Sequence, residues 1–191
     1  MTFSLPIETD RLTLRRYLES DYDDLLKLQS NDDVTRFLLY ESKTPEQVRE
    51  SLANRLADVP MDAEGQALTL AVILRETGQH IGEVTLFVYS AEHRAGEIGF
   101  VFHPEFHGRG FAAEASVELL RLGFEQLGMH RIIGRLDARN TGSANLLKRL
   151  GLRQEAHFVR NEFLKGEWTD EAVFAILADE WQDRSPAAES I

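Results

Sequence analysis

A glycine-rich turn, His107-Gly108-Arg109-Gly110-Phe111-Ala112, has the residue types and spacing of a ligand-binding segment. It lies between a strand-like run at 97–102 and a helix-like run that begins at Ala112. Such a turn leaves backbone N–H groups free, and the positive end of the helix dipole adds to them. Phosphates are the usual ligands of this arrangement. The spacing matches neither the Walker loop nor the dinucleotide loop, so it predicts a phosphate-bearing ligand of another kind.

Composition limits the classes of protein to consider. The chain has 191 residues, 43% of them hydrophobic and 28% charged, as expected of one soluble domain with a sizeable core. It has no cysteine, which excludes disulfides, thiolate metal sites and a cysteine nucleophile, and which fits a cytoplasmic protein. We expect no signal peptide, because the first residues show no basic region followed by an apolar core, and no membrane segment, because no apolar run approaches the ~20 residues that span a bilayer.

The formal net charge of −11 bears on the partners of the protein. Nucleic-acid binding is not expected, because phosphate contacts require clustered Lys and Arg. An acidic surface attracts cationic substrates such as amines, peptide N-termini or basic proteins. Solubility alone explains the charge equally well.

Hydrophobic patterning predicts the elements that position the turn. Strands are expected at 11–15, 67–75, 80–89, 97–103, 131–136, 154–164 and 168–177, and helices at 19–30, 44–59, 110–126 and 141–150. Thr44, Pro45 and Gln47 carry the signature of a helix start, and Gly151 that of a helix end. The polar segment after Trp181 is expected to be disordered. These elements form a mixed α/β domain without a linker or a repeat.

This order of elements, with the glycine turn between a fourth strand and a long helix, resembles the GNAT acetyltransferase superfamily. The acetyl-CoA loop of that family reads Gln/Arg-x-x-Gly-x-Gly/Ala, and Gly110 and Ala112 match it, whereas His107 replaces the Gln or Arg. Residues 140–152, which begin Asn-Thr-Gly-Ser, and residues 8–15, Glu-Thr-Asp-Arg-Leu-Thr-Leu-Arg, resemble the branch of ribosomal-protein-alanine N-acetyltransferases. The similarity extends over nearly the whole chain.

The resemblance implies a GNAT fold of the α/β (α+β) class. Its central sheet would be mixed and mostly antiparallel, with about seven strands flanked by about four helices. The sheet would be splayed between the fourth and fifth predicted strands, at 97–103 and 131–136. A single N-acetyltransferase domain would occupy residues 1–184, followed by a polar tail at 185–191. Relatives are often dimers, so a homodimer is one expected assembly.

The resemblance also implies an activity. Acetyl-CoA would be the co-substrate, and its acetyl group would pass by direct attack to a primary amine, without a metal and without a covalent enzyme intermediate. The acceptor would be a protein N-terminal α-amine or a small cationic amine, with no nucleic-acid or membrane partner. The acceptor pocket would lie between the early helices and the closing strand pair, near the apolar residues 37–40.

Candidate CoA-binding residues follow from the family pattern. The turn would hold the pyrophosphate, the fourth strand would pair with the pantetheine arm, and the N–H of Val101 or Phe102 would polarise the thioester carbonyl. The full set is Phe100, Val101, Phe102, His107, Gly108, Arg109, Gly110, Phe111, Ala112, Asn140 and Ser143. For Asn140 and Ser143, helix capping is the structural alternative.

Candidate catalytic residues are also implied by the resemblance. Ser143 would hydrogen-bond the leaving thiolate. The general base must reach a protonated amine, for which a carboxylate is the usual solution; Glu162 is the first candidate, Glu97 the second and Glu83 the third. A solvated strand charge is the alternative for each.

Two other functions are open. His107 and the positions of the tyrosines suggest a non-catalytic acyl-CoA-binding protein. Many members of the superfamily use a tyrosine in the region of the fourth helix, whereas all four tyrosines of this chain precede residue 90. An acetyltransferase for an antibiotic or a polyamine is the other. A Rossmann-type nucleotide-binding domain is disfavoured by the antiparallel hairpins predicted at 67–89 and 154–177.

Overall fold

The computed structural model describes residues 4–184, which fold around one eight-stranded sheet. The strands are β1 (Ile7–Glu8), β2 (Leu12–Arg15), β3 (Ala67–Leu74), β4 (Gln79–Ser90), β5 (Ala95–Phe102), β6 (Arg131–Asp137), β7 (Arg153–Leu164) and β8 (Glu167–Leu177). The helices are α1 (Tyr22–Gln29), α2 (Asp32–Thr35), α3 (Pro45–Leu56), α4 (Phe111–Arg121), α5 (Thr141–Arg149) and α6 (Ala178–Arg184). Within residues 4–184, every helix is too short or too polar to cross a bilayer.

The sheet opens at the junction of β5 and β6. Its strand order is β1-β2-β3-β4-β5-β6-β8-β7, and all neighbours are antiparallel except β5 and β6, which are parallel. The described ladder between β5 and β6 ends at Glu97 and Ile133, although both strands continue beyond it. We call the gap between residues 98–102 and 134–137 the splay. It confirms the opening expected between the fourth and fifth predicted strands.

Helices cover both faces of the sheet and bury two cores. On one face, α4 and α5 pack over the larger core, which includes Leu70, Leu86, Ile98, Leu119, Leu147 and Phe174. On the opposite face, α1 and α3 pack over a smaller core of Tyr17, Leu25, Val48, Leu52 and Ala71. We call these the α4 face and the α3 face. Together they enclose the sheet in the two-sided arrangement expected of a mixed α/β domain.

Local sequence signals account for several element ends. Thr44 and Gln47 form the capping box that begins α3. Gly110, with a φ of 83°, is the residue before α4, in a left-handed conformation that glycine adopts without a steric penalty. These two helix starts were predicted from the sequence because the signals are local.

The structure corrects the element counts and one segment. The sheet has eight strands instead of about seven, and six helices are described instead of about four. β1 and α2 are too short to show a hydrophobic period, and the end of α6, residues 182–184, lies where disorder was expected. Trp181 anchors α6 because its ring stacks on Phe124, with centroids 5.9 Å apart. The predicted helix at 110–126 changes into a π-helical turn at Leu122–Gln126. The expected polar tail, 185–191, lies outside the described residues.

Candidate active site

The glycine turn presents a row of free backbone donors. Within residues 4–184, the six successive N–H groups from Gly108 to Ala113 have no protein acceptor, and that of Glu114 is the first to bond, to Gly110 O at 3.1 Å. Gly108 has a φ of 72°, and a Cβ placed on it would meet no atom within 4 Å. The space beside Gly108 is therefore open. This cradle fits a pyrophosphate, because consecutive N–H groups at a helix start bind anions.

The segment before β2 fixes the cradle in place. The Arg11 backbone N–H donates to Glu114 Oε1 at 3.0 Å, and Arg11 Nε donates to Glu114 Oε2 at 2.7 Å. Arg11 Nη1 donates to the carbonyl oxygen of Arg109 at 3.0 Å, and the Thr9 hydroxyl donates to Glu114 Oε1 at 2.6 Å. Burial acts to raise the pKa of Glu114, but these hydrogen bonds outweigh it and lower the pKa. The 8–15 segment thus positions the first turn of α4.

His107 and Arg109 have different surroundings within the turn. His107 Nε2 donates to the carbonyl oxygen of Phe102 at 2.9 Å, which ties the turn to the end of β5. The guanidinium of Arg109 lies 4.8 Å from the ring centroid of Phe111 and 5.8 Å from that of Phe106. An anchoring role therefore accounts for the histidine at the family's Gln/Arg position.

Every second residue of β5 directs its backbone N–H and C=O groups into the splay. His103 donates its N–H to Ile81 O at 3.0 Å, so its backbone faces β4. Backbone groups alternate along an antiparallel strand, so those of Val101 also face β4 and those of Phe100 and Phe102 face the splay. Of the two N–H groups considered for polarising a carbonyl, that of Phe102 therefore points into the gap.

The N-terminus of α5 lies at the same edge of the sheet as the cradle, because β5 and β6 are parallel and each leads into its helix. Asn140 Oδ1 accepts the Ser143 N–H at 3.1 Å, so the capping role is present. Within residues 4–184, Asn140 Nδ2 and Ser143 Oγ make no hydrogen bond. Both polar groups remain available beside the splay.

Three glutamates and one arginine lie on the α3 face beside the splay. Strand register puts Glu97, Arg135 and Glu171 on this face, and Glu162 joins them through its pairing with Thr169. Arg135 Nε lies 3.0 Å from Glu97 Oε2, and Arg135 Nη1 lies 3.7 Å from Glu171 Oε1. We call these four residues the carboxylate cluster. With all three glutamates ionised, its net charge is −2 (three negative charges and one positive).

Two of the cluster's carboxyl groups are suited to accept protons. Burial raises the pKa of Glu162, and the charge of Glu171 raises it further. Burial also raises the pKa of Glu97, in spite of the neighbouring Arg135. A base with a raised pKa is a stronger proton acceptor at neutral pH. Within residues 4–184, the side chain of Glu162 makes no hydrogen bond, which leaves its carboxylate open to a substrate or a water.

Glu83 has a different environment from the cluster. It is 4% exposed and receives Arg55 Nη2 at 2.6 Å, Arg55 Nε at 2.9 Å and the Tyr17 hydroxyl at 2.6 Å. Burial acts to raise the pKa of Glu83, but Arg55 and Tyr17 outweigh it and lower the pKa. Tyr40 lies nearby, and burial together with the charge of Glu83 raises its pKa to about 12. The structure therefore gives Glu83 a buried ion pair rather than a free carboxylate.

Two parts of the site were not predicted from the sequence. Glu114 had no assigned role, and Arg135 and Glu171 were not named. Glu171 is the last carboxylate of β8 before the apolar run that ends the strand, and it is 6% exposed. Asn161 Nδ2 holds it with a hydrogen bond of 2.7 Å. Among residues 4–184, the His, Asp and Glu side chains form no group that could hold a metal ion.

Comparison with known proteins places this geometry in a family. Residues 11–153 match the family described as acetyltransferase (GNAT) domain, so the chain belongs to the GNAT acetyltransferases. It is similar to the uncharacterized N-acetyltransferase YnaD of Bacillus subtilis (strain 168), with 31% identity over 92% of this chain and 98% of that protein. It is also similar to the spermidine N(1)-acetyltransferase of Vibrio cholerae, with 26% identity over 92% of this chain and 98% of that protein. Shorter matches to ribosomal-protein N-acetyltransferases are also found.

A solved structure agrees with the fold. The crystal structure of a GNAT-family acetyltransferase from Bacillus anthracis superposes with a TM-score of 0.82 at 28% identity, covering 92% of this chain and 100% of that one. The resemblance stated from the sequence is confirmed, and the protein is an acetyl-CoA-dependent N-acetyltransferase.

Proposed function

We propose that this enzyme acetylates the primary amine of a small cationic acceptor, which binds on the α3 face of the splay. The observation that carries the proposal is the carboxylate cluster, because its net negative charge lies where β5 and β6 separate. An ammonium group is attracted to such a site, and the overall charge of −11 adds a long-range attraction. The similarity to a spermidine N(1)-acetyltransferase over most of both chains supports the same acceptor class.

The cradle and the splay are the proposed sites of acetyl-CoA. The N–H groups from Gly108 to Ala113 would hold the pyrophosphate, and the backbone groups of Phe100 together with the N–H of Phe102 would pair with the amide groups of the pantetheine arm. Asn140 Nδ2 and Ser143 Oγ would contact the arm near its sulfur. Acetyl-CoA supplies the thioester whose acyl group is transferred.

The cluster would prepare the acceptor. Glu162 would take a proton from the ammonium, directly or through one water, and so release the nitrogen lone pair that forms the new C–N bond. Glu97 remains bonded to Arg135 and would hold the ammonium in position. The N–H of Phe102 would stabilise negative charge on the carbonyl oxygen, and the Ser143 hydroxyl would hydrogen-bond the departing sulfur as the C–S bond breaks. The second proton that the nitrogen loses would pass to this sulfur, so that CoA leaves as the free thiol.

A panel of amines tests this function. Acetyl-CoA should raise the melting temperature, because a ligand that binds only the folded state stabilises it. Small cationic amines such as spermidine should release free thiol from acetyl-CoA faster than neutral amines of similar size. Stabilisation by acetyl-CoA without thiol release from any amine would instead identify a non-catalytic acyl-CoA-binding protein and refute the proposal.

A further inference from the structure

Lys165 connects two parts of the molecule across the splay. It lies at the tip of the hairpin formed by β7 and β8, and its Nζ donates to the carbonyl oxygens of Thr35 at 2.5 Å and Arg36 at 3.4 Å. These carbonyls are at the end of α2, which belongs to the helical layer on the α3 face. The hairpin of β7 and β8 lies on the β6 side of the splay, because β8 pairs with β6. The contact therefore joins the β5 side to the β6 side.

The backbone at this tip favours a residue other than lysine. Lys165 and Gly166 form a two-residue hairpin turn in which both φ angles are positive, 51° and 85°. Such turns favour Asn, Asp or Gly at the first position, because a longer side chain is strained in the left-handed region. A strained residue persists where surrounding contacts hold it. Here the contacts are the two hydrogen bonds from the ammonium group, which indicates that the lysine side chain has a role.

The contact between Lys165 and the end of α2, which we call the Lys165 bridge, lies close to the carboxylate cluster. Glu162 lies on β7, three residues before Lys165, which corresponds to about 10 Å of extended chain. At the base of the splay, the ladder of β5 and β6 closes the gap at Glu97. The cluster therefore lies between the ladder at Glu97 and the Lys165 bridge to α2. We call the space between these two connections the opening.

We propose that Lys165 determines the size of acceptor that the enzyme takes, because its bridge to α2 limits the width of the opening. Linear primary amines pass to the carboxylate cluster, and bulky ring-bearing amines do not. This inference rests on the proposed function and deepens it, since it adds the shape of the acceptor to its charge.

The test compares one linear and one bulky amine. Lys165→Met removes the ammonium and keeps the apolar stem, Lys165→Arg keeps donors at the same position, and Lys148→Met is the control on an exposed lysine of α5. The readouts are kcat/KM for spermidine and for kanamycin, the Kd of CoA, and amide hydrogen exchange of residues 36–43. For Lys165→Met we expect the preference for spermidine over kanamycin to fall about tenfold. Exchange at 36–43 should rise and the Kd of CoA should stay unchanged.

The other outcomes are distinguishable. The Lys165→Arg variant should keep most of the preference, and Lys148→Met all of it. A wild-type enzyme that accepts kanamycin as well as spermidine, or a Lys165→Met variant that keeps the preference, overturns the role of Lys165 and leaves the proposed function intact. If Lys165→Met does not fold, Lys165→Gln is measured in the same way, and an unchanged preference there overturns the role. A wild-type enzyme that acetylates no amine refutes the proposed function, and this inference with it.

Discussion

The carboxylate of Glu114 accepts hydrogen bonds from both the backbone and the side chain of Arg11, 103 residues earlier in the chain. Arg11 also reaches the carbonyl oxygen of Arg109 inside the glycine turn. One residue of the first strand region thus holds both the turn and the helix that follows it. The free N–H groups between them keep a fixed direction, and a preorganised anion site does not have to be ordered when its ligand binds.

The hydrogen bonds between Arg11 and Glu114 predict that their loss weakens CoA binding without a large effect on folding. In Glu114→Gln the pair with Arg11 loses its charge, and the cradle should become less ordered. We expect the Kd of CoA, measured by calorimetry, to rise about threefold to tenfold, the equivalent of roughly 0.7–1.4 kcal/mol. Stability should fall by less than about 1 kcal/mol, because Arg11 is largely exposed. The control is Glu118→Gln, which breaks a surface pair with Arg121 on the same helix and should leave the Kd unchanged.

The cradle predicts that alanine substitution affects CoA binding at only one of two glycines that have the same φ. Gly108 and Gly78 both have a φ of 72°, and a Cβ on either would meet no atom within 4 Å. Alanine at either position should therefore lower the free energy of unfolding by about 1 kcal/mol. Only Gly108→Ala should weaken CoA binding, because its Cβ would intrude on the pyrophosphate. Equal CoA affinity for the two variants would show that the turn is a structural loop alone.

The general-base role of Glu162 predicts a specific kinetic defect. Glu162→Gln should keep the Kd of CoA and lower kcat about 10²-fold or more, because a neutral amide cannot accept the proton. The defect should shrink at high pH, where free amine is already present. Glu155→Gln on the same strand is the control. A full rate in Glu162→Gln would move the role to Glu97.

The influence of Glu171 on Glu162 predicts a shift in the pH profile. The negative charge of Glu171 helps to raise the pKa of Glu162, so its removal in Glu171→Gln should lower that pKa. The rate falls on the acid side as Glu162 becomes protonated. The acid limb of kcat against pH should therefore move to lower pH in the variant. A limb that does not move, or that moves to higher pH, would contradict the coupling.

The buried pair of Glu83 and Arg55 predicts a loss of stability. Glu83→Gln leaves the Arg55 charge without a partner, and urea unfolding should show a loss of about 3–5 kcal/mol. Replacing both residues with Met should recover much of it. Because the folded state lowers the pKa of Glu83, the contribution is complete above the ordinary carboxyl value of about 4.3 and is lost as pH falls below it. Normal stability with a shifted pH–rate profile would make Glu83 the base instead.

The sequence by itself determined the features that depend on neighbouring residues. The glycine turn, the helix start at Thr44 and the strand alternation that gives the sheet are local, because they follow from the backbone conformations and periodicity of short segments. Together with the resemblance they gave the fold and the enzyme class. They did not reveal β1, α2 or α6, since such short elements are stabilised by tertiary packing rather than by propensity.

Only the tertiary structure decided which distant residues meet. Arg11 reaches Glu114, Arg135 lies between Glu97 and Glu171, and Lys165 reaches the end of α2. Each of these contacts depends on strand register and on how the two sides of the splay are joined. A shift of one residue in register turns a side chain to the other face of the sheet, so no local pattern specifies the contacts. The sequence therefore determined the glycine turn, and the fold decided what positions it and which charged residues meet beside the splay.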